Sequence, residues 1–210
     1  MKQEGLLIVI SGFSGAGKGT LVKALLQKYD SYALSVSMTT RAPRPGERNA
    51  VEYFFTDRES FEKTIEQDGL IEYASYCGNY YGTPRAYVEE QMAAGKNVIL
   101  EIEIQGALKI KEKFPESLLI FLTPPSAQEL KRRLEGRGTE TQEVIEKRLA
   151  RAVEESEGVE AYDYIVVNDD LNRCTQEIHN LVEAARKTPL RSMDLILEMR
   201  KELADLQKGE

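Results

Sequence analysis

The feature that most constrains the fold is a glycine-rich segment that joins an apolar run to a helical pattern. The run extends from Leu6 to Ile10, and residues 12–20 follow it with the sequence GFSGAGKGT. Leu21 and Leu25 then recur at helical spacing. Glycines let successive backbone N–H groups turn inward around an anion, and a helix N-terminus adds its positive dipole end. The segment therefore predicts a phosphate-binding loop between a strand and a helix.

Similar apolar runs recur along the chain, at Val98–Ile102, Leu118–Leu122 and Tyr164–Val167. Each run is short and nearly continuous, as is typical of strands that are covered on both faces. Stretches with helical periodicity separate the runs. Strands that alternate with helices predict an α/β fold, in which a parallel sheet is flanked by helices.

Three segments depart from this alternation. Residues 37–83 are rich in Thr, Arg, Pro, Gly and Tyr, and we expect them to form a small inserted subdomain. The polar connection at 136–141 lies between two helical patterns and predicts a lid over about residues 125–150. The C-terminal stretch 188–210 predicts a helix whose apolar side chains are buried against the core or a second subunit, which makes a homodimer an open expectation. These side chains are Leu190, Met193, Leu197 and Leu203.

Composition excludes several classes of function. The 210 residues include 28 Lys and Arg against 35 Asp and Glu, which gives a net charge of −7 and a pI near 5.1. Such a balance argues against binding nucleic acid or an anionic membrane through the whole surface. One His and two Cys cannot build a zinc site by themselves. The first apolar run is too short for a signal peptide core, so a cytoplasmic location is expected.

The loop predicts a nucleoside triphosphate with Mg²⁺ as its ligand. Lys18 can reach the β and γ phosphates, but Gly19 stands where the common pattern has a Ser or Thr that binds the metal. Thr20, Glu101 or water must therefore contact Mg²⁺ instead. Glu101 lies at the end of the second apolar run, and we expect its contact with the metal to be partly through water.

A second anion site is indicated within residues 37–83. Arg41, Arg44 and Arg48 lie in a loop that two prolines stiffen, and tyrosines follow in the same segment. Arginine binds phosphate oxygens in a bidentate manner, and proline lowers the entropy lost in holding the loop.

Five segments, in this order, resemble the guanylate kinases of the nucleoside monophosphate kinase family. They are SGFSGAGK at 11–18, SVSMTTRAPRPGE at 35–47, GNYYGT at 78–83, LEGRGTET at 134–141 and VNDDL at 167–171. The resemblance covers about residues 5–185, and it implies the nucleoside monophosphate kinase fold, with a core of 5–36 and 84–185. It also implies transfer of the γ-phosphoryl group of ATP to GMP, with dGMP as a further acceptor, and Mg²⁺ as the cofactor.

The resemblance also implies the residues of each subsite. Those at the GMP phosphate are Arg41, Arg44, Tyr53 and Tyr81. Those at the guanine are Ser37, Glu72, Thr83 and Glu103, the last of which is more often Asp in the family. Those at ATP are Gly12, Phe13, Ser14, Gly15, Ala16, Gly17, Lys18, Gly19 and Thr20, with Arg137 and Asn168 bordering the base. The expected catalytic residues are Lys18, Arg41, Arg133, Arg137 and Arg148, of which the last three would close over the transferring phosphoryl group.

Other interpretations are weaker. A kinase for a different acceptor, such as AMP, is disfavoured by the acidic positions expected at the guanine. A GTP-binding switch is faintly indicated by EIQG at 103–106, but the sequence contains no N-K-x-D element to bind the guanine of GTP. A non-catalytic scaffold would typically lack the loop lysine and the lid arginines, whereas Lys18, Arg137 and Arg148 are all present.

Overall fold

The computed structural model describes residues 4–76, 78–136 and 141–208. The strands in this part of the chain are β1 Leu7–Gly12, β2 Tyr32–Leu34, β3 Met38–Thr39, β4 Phe54–Phe55, β5 Leu70–Tyr76, β6 Asn79–Pro84, β7 Asn97–Leu100, β8 Leu118–Thr123 and β9 Tyr164–Val167. The α-helices are α1 Lys18–Lys28, α2 Arg58–Glu66, α3 Arg85–Ala93, α4 Ile104–Lys113, α5 Ala127–Glu135, α6 Gln142–Ser156, α7 Leu171–Ala185 and α8 Met193–Lys208.

The main sheet is parallel, with the strand order β2-β7-β1-β8-β9. Alternate side chains of its central strand β1 enter different cores. Ile8 and Ile10 pack in one core with α1 and α7, whereas Leu7 and Val9 pack in the other with side chains of α3 and α4. All four are buried, which explains why β1 is a continuous apolar run. The predicted α/β fold with a parallel sheet is confirmed.

Strand β9 departs from the expected burial on both faces. Val166 is fully buried, but Ile165 is 57% exposed and Tyr164 and Val167 are also exposed. β9 is the last strand in the sheet order, and α7 packs against it on one face. The apolar side chains of its other face remain in solvent, so the prediction was wrong for this strand. The short strand β2 was not predicted, because three residues give too little periodicity to detect.

The inserted segment forms a separate mixed sheet, with the order β4-β3-β6-β5. β5 and β6 pair antiparallel, and β3 pairs antiparallel with β6 but parallel with β4. Helix α2 packs on this sheet through Phe61, which is fully buried and stacks on Tyr80 with ring centroids 5.2 Å apart. The sheet gives the insert its own support beside the main core.

Helix α8 forms as predicted, but its apolar face is not buried within the chain. The four side chains expected to be buried are all exposed, at 38–63% of their surface. They are Leu190, Met193, Leu197 and Leu203. The expected packing on the chain's own core is therefore wrong. Within the described residues, no helix is long and apolar enough to cross a membrane.

Candidate active site

The glycine-rich loop leaves β1 at the carboxyl end of the main sheet and enters α1. Gly15 and Gly17 have φ values of +100° and +93°, a region that side chains strongly disfavour. A Cβ atom on Gly17 would lie 2.6 Å from Nδ2 of Asn168, and one on Gly15 would lie 2.9 Å from Leu134. Glycine is thus required here both by backbone conformation and by close packing.

Lys18, the first residue of α1, folds back over the loop. Its Nζ atom donates to the carbonyl oxygen of Gly12 at 2.5 Å and to that of Phe13 at 3.3 Å. The ring of Phe13 packs edge to face on Phe121 of β8, with centroids 4.9 Å apart. The phenylalanine side chain anchors the loop to the sheet, and the ammonium group lies at its mouth. This arrangement suits binding of a polyphosphate.

Two predicted site residues brace the loop from behind. Asn168 donates from Nδ2 to the carbonyl oxygen of Ala16 at 2.8 Å. Arg133 donates from Nη2 to the carbonyl oxygen of Asn168 at 2.8 Å and from Nε to Glu129 at 2.7 Å. Hydrogen bonds from Arg132 and Arg133 lower the pKa of Glu129 to about 2. Arg133 therefore supports the loop here, whereas the sequence predicted that it would lie over the transferring phosphoryl group.

The lid helix α6 brings Arg148 to the loop. Nη1 of Arg148 donates to the hydroxyl oxygen of Ser14 at 2.6 Å. This contact places a guanidinium group beside the phosphate loop, where the sequence predicted it. Arg137, the other predicted lid arginine, lies outside the described residues.

The predicted metal site lies between Glu101 and the start of helix α1. Glu101 follows β7, and a Cβ atom on Gly19 would lie 3.9 Å from its Oε2 atom, an ordinary van der Waals contact. The start of α1 therefore lies beside a carboxylate, the kind of oxygen ligand that Mg²⁺ prefers. Thr20 is exposed and does not line the adjoining cleft. Among the described residues, no group of three acidic, His or Cys side chains could hold a metal by itself.

Two cavities adjoin at the carboxyl end of the sheet. The first, of about 780 Å³, is lined by the loop residues Gly12, Ser14 and Lys18 and by Arg148. The second, of about 530 Å³, is lined by side chains of the inserted sheet. The residues common to both linings are Ser37, Tyr53, Glu101, Ile102, Glu103 and Arg151. A ligand in one cavity would therefore face a ligand in the other.

The second cavity contains the predicted phosphate-binding arginines. Arg41 donates from Nη2 to both carboxylate oxygens of Glu47 at 2.9 Å, and its guanidinium lies 5.3 Å from the ring centroid of Tyr53. The backbone N–H of Arg44 donates to Glu47 at 2.7 Å. Tyr53 and Tyr81 are in edge-to-face contact, with centroids 6.0 Å apart. The structure thus brings the four predicted phosphate ligands to one cavity, and Glu47 organises their loop.

A buried carboxylate lies in the same cavity. Glu72 accepts a hydrogen bond at 2.8 Å from Oγ1 of Thr83, and burial raises the pKa of Glu72. Its Oε2 atom faces Gly106, where a Cβ atom would approach to 3.3 Å. The hydroxyl proton of Thr83 is directed to Glu72, whereas the resemblance implied that Thr83 itself would lie at the guanine.

Two residues that contact predicted ligands were missed by the sequence reasoning. Glu47 ends segment 35–47, which carries part of the family resemblance. Its negative charge close to Arg41 and Arg44 in the sequence could have indicated an ion pair. Arg151 bonds Glu103 at 2.6 Å, and it follows Arg148 by three residues on α6. Residues with that spacing share a helix face, which could have indicated a second arginine of α6 at the site.

The parallel sheet, the glycine-rich loop with its lysine and the adjoining anion-binding cavity define a nucleoside monophosphate kinase of the P-loop class. The guanylate kinase family model matches residues 4–185. The chain therefore belongs to the guanylate kinase family, as its sequence predicted, and its activity is transfer of a phosphoryl group from ATP to GMP.

Individual relatives support this assignment. A guanylate kinase of Desulfitobacterium hafniense is 52% identical over 185 residues, which cover 88% of this chain and 92% of that protein. One from Listeria innocua is 48% identical over 208 residues, covering 99% and 100%. The crystal structure of guanylate kinase from Anaplasma phagocytophilum matches with a TM-score of 0.75 and 34% identity, covering 95% and 97%. The Listeria match includes most of segment 188–210, which lies outside the resemblance seen at about residues 5–185.

Substitution of Gly17 by Ala tests the loop geometry. We expect Gly17→Ala to lower the free energy of unfolding and to raise the KM for ATP, because the new Cβ would displace Asn168. Gly78→Ala is the matched control, since Gly78 has φ +77° with no atom within 4 Å of the added Cβ. The control should lose about 1–3 kcal/mol through backbone strain alone. Chemical denaturation and ATP kinetics distinguish the two variants, and equal effects would contradict the packing role of Gly17.

Proposed function

We propose that ATP binds along residues 12–20 with its γ-phosphoryl group directed into the space that the two cavities share, and that GMP binds in the second cavity. The observation that carries this assignment is the common wall of the cavities, which includes Ser37, Tyr53 and Glu101. One cavity ends in the phosphate loop and the other in a set of arginines and tyrosines. A donor and an acceptor bound in this way would face each other directly.

In this assignment, catalysis is mainly electrostatic. The acceptor phosphate is already anionic near neutral pH, so the reaction needs no general base. Lys18 and Arg148 neutralise charge on the transferring group, while Arg41 and Arg44 hold the acceptor phosphate together with the tyrosine hydroxyls. Arg133 and Asn168 act as positioning residues for the loop, because their donors are directed to main-chain carbonyl groups. Arg137 remains a predicted catalytic and ATP-binding residue.

Exchange of charged partners accompanies acceptor binding in this proposal. Arg41 is paired with Glu47, and both side chains are mostly buried. The phosphate of GMP would accept hydrogen bonds from Arg41 and Arg44. Glu47 would then either lose its bonds to these donors or accept from them together with the phosphate. Closure of the segment 37–83 and of the lid at about 125–150 over the core would exclude water, which would otherwise hydrolyse ATP.

Mg²⁺ is the proposed cofactor, held by ATP and by Glu101, largely through water. When bound, the ion neutralises charge on the β and γ phosphates. The position of the Glu101 carboxylate beside Gly19, at the start of α1, supports this placement. Thr20 is a weaker candidate ligand, since it is exposed and away from the cleft lining.

Guanine recognition is assigned to the carboxylates of Glu72 and Glu103, with Ser37 nearby and Thr83 orienting Glu72. Guanine presents N1–H and an amino group on one edge, and carboxylate oxygens can accept both donors. Adenine lacks these donors and would leave a buried carboxylate unpaired. The proposed contacts involve the base and the 5′-phosphate, so we extend the acceptors to dGMP.

Two further expectations from the sequence become proposals. A cytoplasmic location is supported by the buried free thiol of Cys174, because reduced cysteines are typical of that compartment.

Homodimer formation is supported by α8. At 100° per residue, five apolar side chains of this helix fall within an arc of about 100°. They are Leu195, Ile196, Met199, Leu203 and Leu206.

Removal of the loop lysine tests the donor site. We expect Lys18→Ala to lower kcat for ATP and GMP by about 10²-fold or more, the effect of deleting one preorganised charge donor. Lys28→Ala removes an exposed lysine from the same helix and should leave kcat unchanged. Steady-state kinetics and thermal unfolding would be measured for both. Near-normal turnover of Lys18→Ala would show that the triphosphate binds elsewhere.

The preference for GMP over AMP tests the proposed acceptor site. Glu72→Gln keeps the shape but places an amide donor where the guanine donors require an acceptor. It should raise the KM for GMP and narrow the GMP:AMP ratio of kcat/KM by at least about tenfold. The reason is that a buried polar site rejects a ligand that leaves its groups without hydrogen-bond partners. Glu62 is an exposed residue of α2 in the same insert, so Glu62→Gln should keep the wild-type GMP:AMP ratio of kcat/KM. An unchanged ratio in Glu72→Gln would reject the guanine assignment.

Light scattering tests the dimer. The double substitution Met199→Glu, Leu203→Glu should halve the measured mass while activity is retained, since it places charge in the apolar stripe. Lys201→Glu on another face of α8 should leave the mass of a dimer unchanged. A monomeric mass for the unmodified chain would refute the dimer proposal.

A further inference from the structure

An ion pair joins the lid helix to the proposed guanine site. Nη2 of Arg151 donates to Oε2 of Glu103 at 2.6 Å. Arg151 lies on α6, three residues after Arg148, whereas Glu103 immediately precedes α4 in the core. Both side chains line the acceptor cavity. The lid therefore contacts a residue proposed to recognise the base, in addition to its contact with the phosphate loop.

Glu103 depends on a partner from outside its own helix. It occupies the N-cap position of α4, but its side chain makes no capping hydrogen bond, and 61% of the side chain is exposed. An exposed glutamate has several rotamers, and a carboxylate that must meet two donors in one plane loses this freedom on binding. A contact that fixes one carboxylate oxygen beforehand reduces that loss.

Arg151 is itself held in place. Its Nε atom donates to Oε1 of Glu155 at 3.2 Å, one turn later on α6. The planar guanidinium thus connects two carboxylates, and its rigid fork separates the atoms that bond each of them. Because Glu155 orients Arg151 from the helix, Arg151 can orient Glu103 in turn. An amine on a flexible stem would meet this geometry less well.

We propose that Arg151 is a specificity-determining positioning residue, which holds Oε2 of Glu103 so that the carboxylate presents its remaining acceptor capacity to the base of GMP. A carboxylate can accept about four hydrogen bonds, so the pair with Arg151 leaves room for two parallel base donors. The inference rests on the proposed assignment of Glu103 to guanine recognition. It adds a lid residue to the determinants of base specificity.

A different role for Arg151 makes a different kinetic prediction. If Arg151 neutralised charge on the transferring phosphoryl group, its removal would lower kcat for every acceptor and leave their ratio unchanged. Positioning of Glu103 instead affects binding of the guanine base, so its loss appears in KM for GMP. It should also relax the preference for GMP over AMP.

The test is a double-mutant cycle of Arg151 and Glu103. For each variant, kcat and KM are measured with GMP and with AMP as acceptor, at saturating ATP. Arg151→Ala should raise the KM for GMP and narrow the GMP:AMP ratio of kcat/KM by about tenfold, the effect of one charge-assisted hydrogen bond. Arg151→Lys should restore part of the ratio. In the Glu103→Gln background, Arg151→Ala should narrow the ratio no further. Lys147→Ala removes an exposed cation one turn earlier on α6 and should keep the wild-type ratio.

The outcomes separate this inference from the assignment on which it rests. An unchanged ratio in Glu103→Gln rejects Glu103 as a guanine ligand, and the inference falls with it. A narrowed ratio in Glu103→Gln with an unchanged ratio in Arg151→Ala rejects the inference alone. So does an equal loss of kcat for both acceptors, or an Arg151→Ala effect that persists in full without the Glu103 carboxylate. Thermal unfolding of each variant shows that the comparisons concern folded protein.

Discussion

The backbone of the phosphate loop is the constraint on which the remaining site depends. A loop that surrounds a polyphosphate must direct several N–H groups inward, which requires left-handed conformations at Gly15 and Gly17. Such a backbone is held by its surroundings. The side chain of Asn168 bonds the carbonyl of Ala16 behind the loop, and Arg133 bonds Asn168 in turn. The end of β9 and helix α5 thus support a loop that starts from β1.

Internal partners hold many of the cations that would otherwise repel one another around the cleft. Lys18 bonds carbonyl groups of its own loop, Arg41 pairs with Glu47, and Arg151 lies between Glu103 and a second carboxylate. These pairs fix side-chain geometry before nucleotides bind. The pair of Arg151 and Glu103 is partly exposed, and such pairs contribute little net stability, so exchanging it for a base contact costs little. Preorganised charge is the form of stabilisation that phosphoryl transfer requires.

The two adjoining cavities also explain why the main sheet alone does not supply the whole site. The main sheet positions the phosphate loop and Glu101 at the carboxyl ends of its strands, as parallel sheets generally do. Several of the proposed acceptor ligands come from the inserted sheet, where Glu72 on β5 and Thr83 on β6 meet across an antiparallel pair. The proposed acceptor site thus has walls from the insert, the core and α6.

The parallel sheet, the phosphate loop and the family could be predicted from the sequence, because these depend on local patterns. Continuous apolar runs predict strands buried on both faces, and a glycine-rich turn with a lysine has few other uses. Short segments in the family order also predicted which residues form the acceptor site. Arg41 and Glu72 reach one cavity, as expected, although they lie far apart in sequence.

The partner that each side chain meets could be read only from the packed fold. The bond from Thr83 to Glu72, the support of the loop by Arg133 and the pair between Arg151 and Glu103 join residues of different elements. Periodicity shows which face of a helix or strand is apolar, but it carries no information about how separate elements pack. The same limit applies to α8, whose helix was predictable from its pattern. Its exposure was not, because burial depends on where the chain leads after the core is complete.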